Sequence, residues 1–204
     1  GYGRLEEIGV PVIECADYME ESALGRAEWM KFYGLLYGRE READSLFAVV
    51  EKNYQALSEK ANQSKITRSV LPDRKVGPVW YLPGGESSVG LLYKDAHGMY
   101  AYAKDKHSGS LSMPFETVLD KFVQSDFWIL SYRGDFNRAK LLAEFQGYSM
   151  LKPCRTGEIY GCKVDSIPYF EEVSWRPDWL LSDLIQLFHP DLHIAPMRYY
   201  HKLK

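Results

Sequence analysis

REREADSLFAVVEKNYQALSEKAN, running from Arg39 to Asn62, contains neither Pro nor Gly and is rich in Glu, Lys, Ala, Leu and Gln, all good helix formers. Ala43, Leu46, Phe47, Val50, Tyr54, Leu57 and Ala61 recur at steps of three and four residues, which makes one apolar stripe along a helix. Glu42, Asp44, Glu51, Lys52, Glu59 and Lys60 fall on the other side and give it a solvated face. At ~1.5 Å per residue the helix is a rod of roughly 35 Å, about the width of a small domain. A single stripe on so long a rod suits a strut that packs along one domain or joins two. An ordinary surface helix satisfies the same pattern, and the rod's own residues leave these readings open.

Upstream of the rod, residues 2–8 read as the end of a helix that Gly9 stops. Val10–Ile13 reads as a short buried strand, where Pro11 is tolerated only near a strand start or an edge. The acidic stretch from Cys15 to Gly25 reads as a loop. Arg26 to Tyr37 resumes helix, with Trp29, Met30, Phe32, Tyr33 and Leu36 as a bulky face, and Gly38 separates it from the rod. A chain that opens on Gly-Tyr-Gly and enters a strand almost at once reads as a portion of something longer.

Downstream, the polar stretch Gln63 to Lys75 carries Pro72-Asp73 as a turn signal. Val76–Leu82 then reads as a core strand, Pro83-Gly84-Gly85-Glu86-Ser87-Ser88 as a glycine turn and Val89–Asp95 as a helix. The pattern repeats: a strand at Met99–Ala103, a polar loop through Ser108-Gly109-Ser110, a helix at Pro114–Gln124 and a buried strand at Phe127–Leu130. Phe136–Phe145 reads as helix, Glu158–Val164 as strand, Asp165–Arg176 as a long loop and Pro177–Phe188 as helix. A short terminal helix around Tyr199-Tyr200 completes the series. Strands alternating with helices after residue 76 predict an α/β fold with a parallel-type sheet. Such sheets place ligands at the turns beyond the carboxyl ends of their strands. The glycines at 84 and 85 allow close backbone approach to a ligand, but they do not make a dinucleotide fingerprint.

Composition narrows the class. With 46% hydrophobic and 26% charged residues, the 204-residue chain falls among ordinary globular proteins. A formal net charge of -3 gives no reason to expect nucleic acid or an anionic membrane as partner. Fifteen Tyr and five Trp supply either a tyrosine-rich core or an aromatic-lined pocket. Cys15, Cys154 and Cys162 permit one disulfide at most. Cys154 and Cys162 flank the Thr156-Gly157 turn and could face each other across it; the alternative is buried free thiols.

Catalytic groupings are not evident. G-x-S-x-G, a Walker loop, H-E-x-x-H and C-x-x-C are all missing from the sequence. His189 and His193 stand four apart, but Pro190 and Asp191 place them at a helix end, where they read as surface or cap residues. Neither an enzyme nor a cofactor is implied.

Taken in order, Leu24-Gly25-Arg26-Ala27-Glu28-Trp29, the rod, Trp80-Tyr81-Leu82-Pro83-Gly84-Gly85, Pro114 to Leu130 and His189-Pro190-Asp191-Leu192…Tyr199-Tyr200 resemble a known family. It is that of the periplasmic substrate-binding proteins of ABC importers for cobalamin and ferric siderophores, the class III, helical-backbone group. The resemblance implies two α/β lobes bridged by a long helix, with the ligand held between them. Residues 1–25 then correspond to the tail of an N-terminal lobe and 26–62 to the bridging helical segment. Residues 63–204 correspond to a three-layer, Rossmann-like C-terminal lobe. A membrane anchor is implied at the N-terminus, in a periplasmic or otherwise extracytoplasmic setting.

The partners implied are an iron chelate (siderophore or haem) or a corrinoid, and an ABC permease; no nucleic acid is implied. Ligand contacts are implied at Gly84, Gly85, Glu86, Ser87, Ser110, Tyr132, Arg133, Trp175 and Arg176. Glu116, in the first turn of its helix, is implied as the carboxylate that meets the permease. Trp175, Arg176 and the Gly84-Gly85 turn are expected to be exposed on the open face of the lobe. Two other classes remain: an enzyme on a related chelatase-like fold, which needs a His or carboxylate constellation in the cleft, and an interaction module, which needs a flat apolar face.

Overall fold

The rod is one unbroken helix. A computed structural model, which describes residues 3–204, places α1 at Arg4–Glu7, α2 at Ala23–Leu36 and α3 at Glu40–Ala61, the last 22 residues long. Ser22 starts α2 by accepting a hydrogen bond from the Gly25 amide at 2.9 Å, satisfying one of the free first-turn donors. Ala43, Phe47, Val50, Tyr54 and Ala61 are buried, as the stripe predicts. Leu46 departs from it and is 63% exposed, because α2 covers only the flank that carries Ala43, Phe47 and Val50. Val10–Ile13 is not a strand: it pairs with nothing in either sheet, and Val10, Val12 and Ile13 are exposed. Of the helix end read at residues 2–8, Tyr2 lies outside the described residues.

The rod straddles two apolar clusters. Its first half packs with α2 around Ala27, Phe47 and Val50, a small cluster of its own. Its second half, through Tyr54 and Ala61, joins the main core. Polar groups fix that half in place: the Tyr54 hydroxyl donates to Asp95 Oδ2 at 2.7 Å and Ser58 Oγ to the Asp95 carbonyl at 2.7 Å.

Beyond the rod come β1 (Val70–Pro72), β2 (Lys75–Val76), β3 (Val79–Pro83), α4 (Ser88–Asp95), β4 (Ser110–Met113), α5 (Phe115–Phe122) and β5 (Phe127–Tyr132). They are followed by α6 (Arg138–Glu144), α7 (Lys152–Thr156), β6 (Ile159–Lys163), α8 (Tyr169–Val173), α9 (Pro177–Phe188) and β7 (Tyr200–Lys202). One sheet runs β1-β5-β6-β7, with the first three strands parallel and β7 antiparallel at the edge. β2, β3 and β4 form a second, wholly antiparallel sheet. The run read as one strand at Val76–Leu82 is instead broken at Gly77-Pro78, and its two parts fall in β2 and β3 of the antiparallel sheet; the parallel pairing is built around the three residues of β1, inside the stretch read as polar loop. Alternation along β5 covers both faces of the larger sheet. Phe127 meets Phe188 of α9 at 5.2 Å between ring centroids, while Trp128 faces Trp80 of β3 at 5.7 Å.

Three further expectations change. Met99–Ala103 makes a single bridge to Ser69 and then turns, so it is not a strand. Tyr199-Tyr200 leads into β7 instead of a helix, because the buried carboxylate of Asp183 accepts the amides of Arg198, Tyr199 and Tyr200 at 2.8, 2.7 and 3.0 Å and holds them extended. His189 caps the end of α9, as one of the two readings had it, but is buried and not at the surface: its ring nitrogens lie 2.7 Å from the Ile66 carbonyl and 2.8 Å from that of Ala96. Cys154 and Cys162 are both free and buried, and desolvation pushes their thiols up to about 11 and about 12.

Glu158 ties the sheet across three strands. It takes Arg68, just before β1, and Lys202 of β7 at 2.6 Å each, and Tyr160 of β6 at 3.0 Å. Burial opposes its ionisation, but these donors outweigh it and hold the carboxyl below its ordinary range.

At Gly34 the two long helices nearly touch: a Cβ there lies 2.4 Å from Ala43 Cβ. Gly34→Ala should therefore force α2 and α3 apart and lower stability by about 1–3 kcal/mol, as overpacking does. Urea denaturation followed by circular dichroism measures this, and an unchanged midpoint would contradict the close crossing.

Candidate functional site

Two tryptophans shape the carboxyl end of the parallel sheet. β1 ends at Pro72, whose carbonyl accepts the Trp80 indole N–H at 2.8 Å. The next carbonyl, that of Asp73, accepts the Trp128 indole N–H, and the Asp73 amide donates to the Ile129 carbonyl at 2.8 Å. Both indoles pack against the buried ring of Tyr148, at 5.7 and 5.0 Å. So held, Asp73 takes a left-handed backbone with φ 58°, a conformation that few non-glycine residues adopt and that needs support from its surroundings.

Asp73 lines an open recess of about 550 Å³ between the ends of the two sheets. Leu130 and Ser131 come from β5, Pro83 from β3, Ser110 from β4, Ser108 and Gly109 from the loop before it, and Ser87, Ser88 and Val89 from the start of α4. Ser87 caps α4: it accepts the Gly90 amide at 3.1 Å and donates to the Gly84 carbonyl at 2.7 Å. The amides of Ser88 and Val89, in the first turn, have no partner within the helix, and the positive end of its dipole lies there. Arg74 stands at the rim but is paired with Glu144 at 2.6 Å and stacked over Phe136 at 4.7 Å. The recess therefore offers hydroxyls, free amides and one carboxylate, which suits an oxygen-rich, polar ligand.

The residues singled out in the sequence divide. Ser87 and Ser110 line the recess, with their neighbours Pro83, Ser88 and Ser108. Gly84 and Gly85 do not; they are buried, and added Cβ atoms would lie 2.2 Å from the His107 carbonyl oxygen and 2.4 Å from that of Asp105. Their small size lets the 105–109 loop close over the turn, not a ligand approach it. Glu86 points outward and pairs with Lys106 at 2.8 Å. Tyr132 is buried with its hydroxyl 2.8 Å from His201 Nε2, and Arg133 is exposed outside the recess.

Trp175 and Arg176 are half-buried, not exposed as expected. The Trp175 ring stands edge-on to Tyr33 of α2 at 5.5 Å. Arg176 binds Asp178 with two hydrogen bonds, at 2.9 and 2.6 Å, and lies 3.8 Å from the Trp179 ring. Both join α9 to its neighbours. Glu116 is exposed in the first turn of α5. Asp73, Arg74 and Ser131 were not anticipated; Pro72-Asp73 signalled a turn, but nothing nearby shows which sheet end it faces.

The walls around Asp73 desolvate its carboxylate and raise it to about 6, although the group stays open to solvent through the mouth of the recess and Arg74 works against the rise. Its unfolded value is about 3.9, so the native state binds the proton more tightly. Stability is then favoured below about pH 4 and lost as pH rises through about 6. Asp73→Asn, which keeps a residue tolerant of the left-handed backbone, should raise the melting temperature at pH 8 and change it little at pH 4. A lower melting temperature at both would show that the carboxylate supports the fold.

Comparison with known proteins gives this geometry its setting. Residues 4–165 match the family described as "Periplasmic binding protein". Two uncharacterized lipoproteins of Methanocaldococcus jannaschii are 26% and 24% identical over 92% and 98% of this chain. The chain spans about half the length of these curated relatives, 44% and 52%. A periplasmic haem-binding protein from Pseudomonas aeruginosa superimposes with a TM-score of 0.73 at 14% identity, over 98% of this chain and 71% of that one. A possible iron-binding, periplasmic solute-binding protein from Staphylococcus epidermidis gives 0.69 at 17%, over 90% and 68%. An ABC-type Fe3+-hydroxamate transport system from Saccharomonospora viridis gives 0.66 at 19%, over 90% and 63%. With the α/β fold, the long helix and a family match over most of its length, the chain belongs to the periplasmic binding protein family.

Proposed function

We propose that this chain is part of the solute-binding component of an ABC importer, a binding protein without catalysis. It supplies one wall of a site for an iron chelate (siderophore or haem) or a corrinoid, which is then delivered to the membrane permease. The observation that carries the reading is the recess of about 550 Å³ at the carboxyl ends of β1 and β5, faced with serine hydroxyls and the start of α4. Such a surface matches the oxygen-rich rim of a ferric chelate or the carboxylates and amides of a tetrapyrrole. The names of the solved relatives, which speak of iron, haem and Fe3+-hydroxamate, support the same ligand class.

In this reading residues 63–204 are the ligand-binding lobe and 26–62 bridge it to another lobe, to which 1–25 belong. The satellite cluster of α2 and α3 supports the bridging role, as do the exposed Leu35, Leu36, Tyr37, Leu46 and Val49 on those helices. The lipoprotein names of the two archaeal relatives support an anchored, extracytoplasmic location.

Calorimetry with a ferric trihydroxamate, haem and cobalamin tests the reading. Full-length protein should bind one of these classes tightly, and residues 1–204 alone should bind it about a hundredfold or more weakly, since one wall supplies only part of the contact. Failure of the full-length protein to bind any of them would overturn it.

Glu116 is proposed to meet arginines of the permease. Its place in the first turn of α5 also stabilises the helix by about 0.3–1 kcal/mol, so uptake and binding must be measured together. Glu116→Arg should reduce uptake in cells while leaving ligand affinity intact; unchanged uptake with intact binding would remove this residue from the interface.

A further inference from the structure

A second, smaller compartment opens off the recess. Tyr93 of α4, Tyr169 and Phe170 of α8 and Tyr200 of β7 close around Cys162 and the ends of β1 and β5, leaving about 120 Å³. Asp73, Val89, Leu130 and Ser131 line both this slot and the larger recess, so the two are continuous. Phe170 stands at the edge with 57% of its surface exposed, its ring perpendicular to that of Tyr169 at 5.3 Å.

Size and chemistry select the occupant. An apolar cavity of about 150 Å³ takes one benzene, so this slot of about 120 Å³, open on the side of the recess, admits at most a single aromatic ring and is far too small for a tetrapyrrole. Aromatic walls favour edge-to-face contact with such a ring. Asp73, where the slot meets the recess, is placed to accept a hydrogen bond from a ring hydroxyl. The thiol of Cys162 is held neutral by burial and adds no charge.

We infer that the slot is a subsite for a hydroxyphenyl arm of the bound ligand, with Tyr93, Tyr169, Phe170 and Tyr200 enclosing the ring and Asp73 accepting its hydroxyl, while the chelating part occupies the larger recess. The inference rests on the solute-binding reading and sharpens it: among iron chelates, those carrying an aryl arm are preferred to wholly aliphatic ones.

The test compares one aliphatic ferric trihydroxamate with the same chelate bearing an added 4-hydroxyphenylacetyl group. Burial of the ring should tighten binding about ten- to hundredfold, and Phe170→Ala should remove that gain. An equal affinity for the two chelates, or a gain that survives Phe170→Ala, overturns the subsite. If neither chelate binds, a trihydroxamate is not the ligand, and 4-fluorophenol decides the slot by itself. Its fluorine resonance should broaden with wild-type protein and stay sharp with Phe170→Ala or with Val89→Phe, which fills the opening from an exposed helix position. No broadening with wild-type protein, or undiminished broadening with either folded variant, overturns the subsite independently of the larger function.

Discussion

Two indole N–H groups, from Trp80 and Trp128, hold the carbonyls of Pro72 and Asp73. Removal of either would leave a backbone acceptor unpaired beside the core, a cost of about 1–3 kcal/mol. Much of the molecule converges on this pair. Trp80 belongs to the antiparallel sheet and Trp128 to the parallel one, so the clamp also ties the two sheets together. With the clamp in place, β1 stops at Pro72, the chain turns sharply at Asp73, and the space beyond the strand ends becomes the recess.

The second organising feature is the division of the rod between two clusters. Its carboxyl-terminal half is fixed by Tyr54 and Ser58 to the end of α4, whose amino end faces the recess. α4 is thus fixed from behind by α3 and presents its free amides in front. The other half of the rod packs with α2 around Ala27, Phe47 and Val50, and α2 in turn meets α4 and α9.

The sequence disclosed these features unevenly, and the difference follows the range of the interactions. The rod was legible because helix periodicity is local and no Pro or Gly interrupts residues 39–62. β1 was not, since Val70-Leu71-Pro72 is too short to show a period and its partner Phe127 lies far along the chain. At Gly84 and Gly85 the need for small residues was visible, but not what lies opposite them, which is the backbone of the 105–109 loop. Trp175 and Arg176 have the chemistry of a ligand contact, and the same chemistry serves an internal stack. Asp178, two residues beyond Arg176, was the signal that its guanidinium is already engaged.

The hydroxyls that face the recess hang on a frame set by main-chain bonds and buried rings. Ser88, Ser108, Ser110 and Ser131 are exposed, and replacing such residues changes stability by only about half a kcal/mol. Single substitutions at these positions can therefore change the chemistry of the recess while the fold is left alone. Residue 73 is the exception. Its left-handed backbone favours glycine, asparagine and aspartate, and the choice among these sets whether that part of the recess is apolar, neutral or acidic.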